Sequence, residues 1–307
     1  MRFSYDLTTE PWIPCVLADG TVGNKSITDA FLEATEIREV LHASPLVTIS
    51  LHRLLLAILH RIFGPRNVDE WEKLWKGRKF QDCALEDYLA AWRHRFDLFD
   101  AERPFYQTTS VKMITPSPVS KLAPDRSVGN NDTLFDHGQH FELVGPAMAA
   151  RWTVATHLFD PSGTHSGRTG DERHPSDSPL VRAATVLVTG ENLFETLLLN
   201  LVPYSPRGEV PWPGQDLNDA PAWEQDDPFA VPAKLLGYVD YLTWQTRKIL
   251  LVPGNESGVT AVRSAVLAGG RPLPGSFSLQ ACETMTAHKR NDKAKSDDDP
   301  YPALRLE

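Results

Sequence analysis

Cysteine is nearly absent: three residues in 307, at positions 15, 83 and 282, with no CxxC pair among them. Neither a disulfide framework nor a thiolate zinc site is expected, which fits a reducing, cytoplasmic compartment. Positive charge is also in short supply. Against 40 Asp and Glu stand 31 Lys and Arg, a formal charge of −9. A free-standing nucleic-acid-binding protein carries a net basic face. This balance therefore leaves room only for a small contacting surface, on a protein whose partners supply the phosphate grip. No apolar run is clean enough for a membrane span, because Leu46 to Phe63 is interrupted by Ser50, His52, Arg53, His60 and Arg61. No N-terminal stretch joins basic residues to a long apolar run, so no signal peptide is expected. A GxxxxGK[ST] phosphate loop is missing, and so is any internal repeat.

What is present reads as an ordinary globular chain, 41% apolar and 23% charged, long enough for one large domain or two smaller ones. Asp19-Gly20 between apolar runs predicts a hairpin. Ser26 opens a helical pattern running to about Arg38. Pro45 starts another, in which Leu51, Leu54, Leu55, Ile58, Leu59 and Ile62 recur at helical spacing until Gly64-Pro65 ends it. Helices are further predicted near 68–76, 84–95 and 147–158, and an apolar helix starts within 181–201. Residues 108–146 lack periodicity and read as a long loop system, of the kind that carries function or stays disordered. Residues 238–252 and 259–267 alternate as strands do. Residues 209–228 hold six acidic residues, four prolines and no basic residue, and read as a solvated surface loop. The fold class expected is α+β, a large mixed globular domain over 1–287 followed by a charged tail, 288–307.

The most informative segment is His157-Leu-Phe-Asp-Pro-Ser-Gly163-Thr-His-Ser-Gly167-Arg-Thr-Gly-Asp171. Glycine lets backbone approach a ligand closely, and small hydroxyls with free N–H groups are neutral donors to phosphate or base edges. Two catalytic readings compete with that one. His157, Asp160, His165, Asp171 and His174 offer imidazole and carboxylate ligands for a divalent ion, yet match no recognised spacing, and read more readily as polar loop residues. Ser162 and Ser166 around His165 resemble a GxSxG elbow only loosely, since serine is followed directly by glycine and a helix, not a strand, precedes it. His52 and His60 read as packing or surface residues, and the basic run 288–295 as a solvated segment with nucleic-acid contact as its alternative.

Six strings in order resemble a known family: Leu7-Thr-Thr-Glu-Pro-Trp-Ile-Pro14, Phe96-Asp-Leu-Phe-Asp-Ala-Glu-Arg-Pro-Phe-Tyr-Gln107, Asn130-Asn-Asp-Thr-Leu-Phe-Asp-His137, His157-Leu-Phe-Asp-Pro-Ser-Gly163, Asn192-Leu-Phe-Glu-Thr-Leu-Leu-Leu-Asn-Leu-Val202 and Leu242-Thr-Trp-Gln-Thr-Arg247. Together they resemble the large subunit, CasA, of the type I-E CRISPR Cascade complex. The resemblance implies a non-catalytic subunit without a cofactor. Its partners would be the other Cascade subunits, crRNA, target double-stranded DNA and a helicase–nuclease effector, with no membrane. Its task would be to recognise the protospacer-adjacent motif (PAM) and help open the duplex. On that resemblance, Asn131, Leu134, Phe135, Asp136 and His137 stand in a PAM-proximal loop. Ser162, Gly163, Thr164, His165, Ser166, Gly167 and Arg168 stand in a glycine loop against the minor groove, and Arg263 is the positional match for a basic finger. Family members continue into a C-terminal helical bundle, whereas this sequence stops at Leu306-Glu307, so the domain is expected without that bundle and the duplex wedge has no position here. The rival expectation is a metal-dependent hydrolase centred on His157, Asp160, His165 and His174.

Overall fold

The leucine-rich segment forms the central helix of the molecule. The structure is a computed structural model that describes residues 3–124, 143–167, 170–181, 183–203, 218–230, 235–274 and 282–287, with backbone alone for 170 and 171. Helix α2, Pro45–Phe63, carries proline in its first turn and ends at Gly64. Its Leu51, Leu54, Leu55, Leu56, Ile58 and Leu59 are all buried. It packs on α5 (Pro146–Phe159), α7 (Leu193–Asn200) and α8 (Tyr238–Leu242). By length and composition α2 could cross a membrane, but here its polar residues are core residues too. Arg53 is fully buried and reaches Glu283 at 2.9 Å, while Glu283 accepts the Tyr241 hydroxyl at 2.6 Å and the Met285 N–H at 2.8 Å. The Glu283 carboxylate, with three donors, is tolerable in the core where a lone charge is not, and it neutralises Arg53, which also lies over the Tyr241 ring at 5.2 Å.

Two antiparallel sheets flank this core. The first has the order β2-β1-β3, from β1 (Ile13–Leu17), β2 (Val22–Lys25) and β3 (Ile37–Val40). Its hairpin turns where Asp19-Gly20 predicts it, with Gly20 at φ +86° and Asp19 accepting the Thr21 N–H at 2.8 Å. The helix expected from Ser26 to Arg38 is shorter: α1 spans Ile27–Leu32, closed at its start by a reciprocal Ser26–Asp29 capping box. Ile37 and Val40 leave the helical pattern because they are buried against Leu17 and Cys15 of β1. Non-local pairing of β-branched residues outweighs a weak local preference. Helices α3 (Val68–Gly77) and α4 (Asp82–Trp92) follow α2 as predicted.

The second sheet has the order β4-β6-β5, from β4 (Ser117–Pro118), β5 (Arg247–Glu256) and β6 (Val259–Gly269). The strand expected from 238 begins only at Arg247, and Tyr238–Leu242 is the helix α8. The cause lies in the acidic segment read as a solvated loop. Asp219 is buried and its two carboxylate oxygens accept the N–H groups of Val239 and Asp240, each at 2.9 Å. A carboxylate at a helix start satisfies orphan donors and favours helix over strand. Farther along the same segment Trp223 joins the core, and Glu224 binds Arg61 and the Tyr88 hydroxyl. Residues 209–217 of that segment, 204–208 before it and the tail 288–307 lie outside the described residues.

His60 and His157 are fully buried, and burial alone holds the former down to about 3 and, with lesser opposing effects, the latter to about 4. Both titrate near 6.5 once unfolded, so the unfolded chain takes up protons first as the pH falls below that value, and stability drops with it. Two such groups cost about 1.4 kcal/mol each per pH unit, so acidification from pH 7 to pH 5 should remove on the order of 4 kcal/mol. Urea unfolding of the wild type and His60→Leu at both pH values checks this. The variant should lose clearly less, since only His157 and the likewise buried and lowered His52 still contribute, and an equal loss in both proteins would contradict the assignment.

Candidate functional site

The site is organised by an arginine. Burial alternates along the start of β5, so Arg247 points inward with Ile249 and Leu251. Its guanidinium donates to the carbonyls of Asp160 (2.8 Å), Pro161 (3.3 Å), Ser176 (2.9 Å) and Thr246 (3.0 Å), and its Nε to the Asp160 carboxylate. Asp160 and Pro161 begin the glycine segment as it leaves α5, and Ser176 lies where the chain returns after α6 (Gly170–Arg173). One side chain therefore clamps both legs of the loop. The clamp is reinforced beside it: Ser178 N–H donates to Asp160 O at 3.0 Å, Ser162 N–H to the Asp177 carboxylate at 2.7 Å, and Thr246 Oγ1 to His157 O at 2.8 Å.

From that base the loop reaches the second sheet. The His165 N–H donates to Arg173 O and the Ser166 N–H to Leu267 O on β6, both at 2.9 Å. Ser166 Oγ lies 3.3 Å from Ser117 Oγ on β4. The same outer edge of β6 receives β4 opposite Ser264 and Ala265, and Val144, which exchanges two backbone hydrogen bonds with Val262. The sequence-predicted loop of Asn131, Leu134, Phe135, Asp136 and His137 lies outside the described residues, as does Arg168. The chain on both sides of it, the turn Val119–Leu122 and Val144, is docked on this edge.

Gly163 and Gly167 are not equivalent. A side chain built on Gly163 would meet nothing within 4 Å, whereas one on Gly167 would run into the Glu172 carbonyl. Neither has positive φ, so neither is there for a left-handed turn. Ser162, Gly163 and Thr164 are exposed. The N–H groups of Gly163 and Thr164 and the hydroxyls of Ser162 and Thr164 bond to no described residue. Four neutral donors thus face solvent from a loop whose base is fixed.

The catalytic readings fare differently. Among the described residues no three of His, Cys, Asp and Glu are grouped to hold a metal ion. His157 is buried with Nε2 3.0 Å from Tyr106 O, and Nδ1 accepts the Arg247 N–H at 3.4 Å, so both nitrogens are engaged in the core. His165 pairs with Asp160 at 2.6 Å and lies 3.2 Å from Gly163 O, not against a serine, while His174 is an exposed residue of the returning leg. Behind that leg a cleft of about 270 Å³ is lined by His174, Asp177, Arg247 and Arg271, but its arginines are committed to Asp160 and Asp240.

Arg263 is exposed on β6 at a bulge, the extra residue where Val252 faces Ser264 and Pro253 faces Val262. It is paired with Glu256 at 2.7 Å. Four residues of strand, roughly 13 Å at about 3.3 Å per residue, separate it from Leu267, so it stands apart from the glycine loop. Sequence reasoning gave Arg247 no role. The signal available was its in-phase position with Ile249 and Leu251, since an arginine on the buried face of a strand requires an acidic or carbonyl-rich partner.

The model of the family described as CRISPR-associated protein Cse1 matches residues 6–307. A curated CasA/Cse1 protein of Thermus thermophilus is 42% identical over 223 residues, which are 72% of this chain and 42% of that protein. The crystal structure of a Thermus thermophilus CasA superposes with a TM-score of 0.76 at 32% identity, covering 100% of this chain and 58% of that one. A chain of a CRISPR RNA-guided surveillance complex gives a TM-score of 0.79 at 25% identity, covering 98% of this chain and 60% of that one. This chain thus spans about half the length of the relatives it matches.

Removing the clamp has a definite expected outcome. Arg247→Met removes a donor from the Asp160 carboxylate and from four carbonyls and should cost about 3–5 kcal/mol, the usual effect of breaking a buried pair. Asp160→Asn keeps its carbonyl contact and should cost less. Denaturant midpoints decide it: a change within about 0.5 kcal/mol for Arg247→Met, the range of a surface substitution, would mean that the loop does not depend on Arg247.

Proposed function

Since the chain belongs to the CRISPR-associated Cse1 family, the CasA subunit of type I-E systems, we propose that it serves in the cytoplasm as the PAM-reading part of a Cascade large subunit. On this reading it binds the other Cascade subunits and crRNA, performs no catalysis of its own, and helps present the opened target to a helicase–nuclease. The observation that carries the proposal is the exposed turn Ser162-Gly163-Thr164, with four neutral donors on a base held by Arg247. The minor groove offers acceptors at every base pair and distinguishes mainly A·T from G·C. Small donors without charge suit that surface, because they enter a narrow groove and do not bind phosphate indiscriminately. Contacts made there offset the few kcal/mol needed to unstack a neighbouring step. The net charge of −9 is compatible with this division, since other subunits and crRNA would hold most of the nucleic acid.

The two glycines test the proposal. In the reconstituted complex, Gly163→Trp places bulk where the groove floor would lie. It should weaken binding of PAM-containing duplex at least about tenfold, or ~1.4 kcal/mol, with an unchanged melting temperature. Gly167→Ala forces Cβ against backbone and should lower the melting temperature while the preference for PAM over non-PAM duplex persists. Unaltered PAM preference and affinity in Gly163→Trp would sink the assignment.

A further inference from the structure

Nearly every described lysine and arginine is already engaged. Arg53, Arg61, Arg247 and Arg271 bind carboxylates in or beside the core, Arg151 binds Trp12 O and Asn24, and the surface cations mostly pair with neighbouring Glu or Asp. Among the described residues three make no hydrogen bond or ion pair through their side chains: Lys73 on α3, Lys121 and Arg173. Lys121 and Arg173 are both exposed, and both flank the glycine loop. Arg173 closes α6, its carbonyl accepts the His165 N–H at 2.9 Å, and its backbone abuts Gly167. Lys121 lies in the turn Val119–Leu122 directly after β4, whose Ser117 hydroxyl is 3.3 Å from that of Ser166. One free cation thus adjoins the loop through His165 and Gly167, and the other through Ser166.

We propose that Arg173 and Lys121 are contacts to duplex DNA phosphates on the two strands bordering the groove that the glycine loop enters. The inference rests on the reading of that loop as a minor-groove element. The groove is only ~6 Å wide and walled by phosphates on both sides, so any backbone loop seated in it brings its flanks against sugar–phosphate. A carboxylate-paired arginine such as Arg263 would first have to leave its partner. Arg173 and Lys121 have none to leave among the described residues. Labour is divided accordingly: the neutral loop reads base edges, and the two cations position it without sequence information.

The experiment is a salt titration of duplex binding by the reconstituted complex, with Arg173→Gln, Lys121→Gln, the double variant, and Lys73→Gln as a surface control. Each lost phosphate contact should reduce the slope of log K against log[salt] by about 0.9, and the double variant by about 1.8. Affinity should fall by the same factor on PAM and scrambled duplexes, so the PAM preference stays constant, and Arg173→Lys should restore the slope. An unchanged slope in both single variants overturns the proposal. So does loss of PAM preference at constant slope, which would make them base readers, or loss of crRNA or subunits from the complex, which would make them assembly contacts. The two ideas fail separately: normal PAM preference in Gly163→Trp refutes the loop assignment, whereas the slopes report only on the cations.

Discussion

The glycine loop depends on the desolvation of one guanidinium. Arg247 has lost nearly all contact with water, and an ion in that position costs several kcal/mol unless oxygens replace its hydration shell. Five groups do so: the Asp160 carboxylate and the carbonyls of Asp160, Pro161, Ser176 and Thr246. Few backbone paths present so many oxygens to one side chain, so satisfying the charge specifies where both legs of the loop run. Similar requirements recur in the core, where Arg53 needs Glu283 and Arg271 needs Asp240, with Trp244 stacked under the Arg271 guanidinium at 3.5 Å. Each pair joins segments that are distant in sequence.

The second constraint is the outer edge of β6. An open strand edge exposes donors and acceptors and invites non-native pairing. Here Val144, β4 and Ser166 cover it at successive positions, opposite Val262, Ser264 with Ala265, and Leu267. Hydrogen-bond satisfaction along one strand therefore gathers three loops at one surface. The bulge at Arg263 sits within the same stretch and adds twist between the first and second of these contacts.

Helices α2, α3 and α5 were legible because their apolar spacing, proline starts and glycine stop are local signals. The first hairpin was legible because Asp-Gly dictates its turn. The errors share a cause. Helix α1 ends early because Ile37 and Val40 are needed opposite Cys15 and Leu17, and Tyr238–Leu242 is helical because Asp219 caps it from far upstream. Composition made 209–228 look solvated, yet Asp219, Trp223 and Glu224 are held by partners no pattern announces. At the site, glycine and hydroxyl content marked 162–167 as a close-approach segment. The difference between Gly163 and Gly167 is not written in local sequence, because it arises from contact with α6, and the strand pattern that turns Arg247 inward does not say which oxygens it binds. Arg263 was the positional match for a basic finger, and position in the sequence does not reveal that Glu256 already pairs with it.

Magnitudes explain why the proposed reading needs so rigid a base. A hydrogen bond exchanged from water to a base edge contributes only about 0.5–1.5 kcal/mol net, so four neutral donors supply a few kcal/mol at best. Ordering a mobile three-residue turn on binding would cost about 1–2 kcal/mol per residue in backbone freedom alone, enough to cancel them. A loop that already holds its bound shape avoids that cost, which is the general advantage of preorganisation. Arg247, Asp160 and the β6 edge meet the entropy cost during folding, where hydrophobic burial of α2 and its neighbours is available to offset it. The weak, degenerate signal of a minor groove then becomes readable by uncharged groups. On the proposed reading, an acidic chain discriminates duplexes locally without a basic surface that would bind every duplex alike.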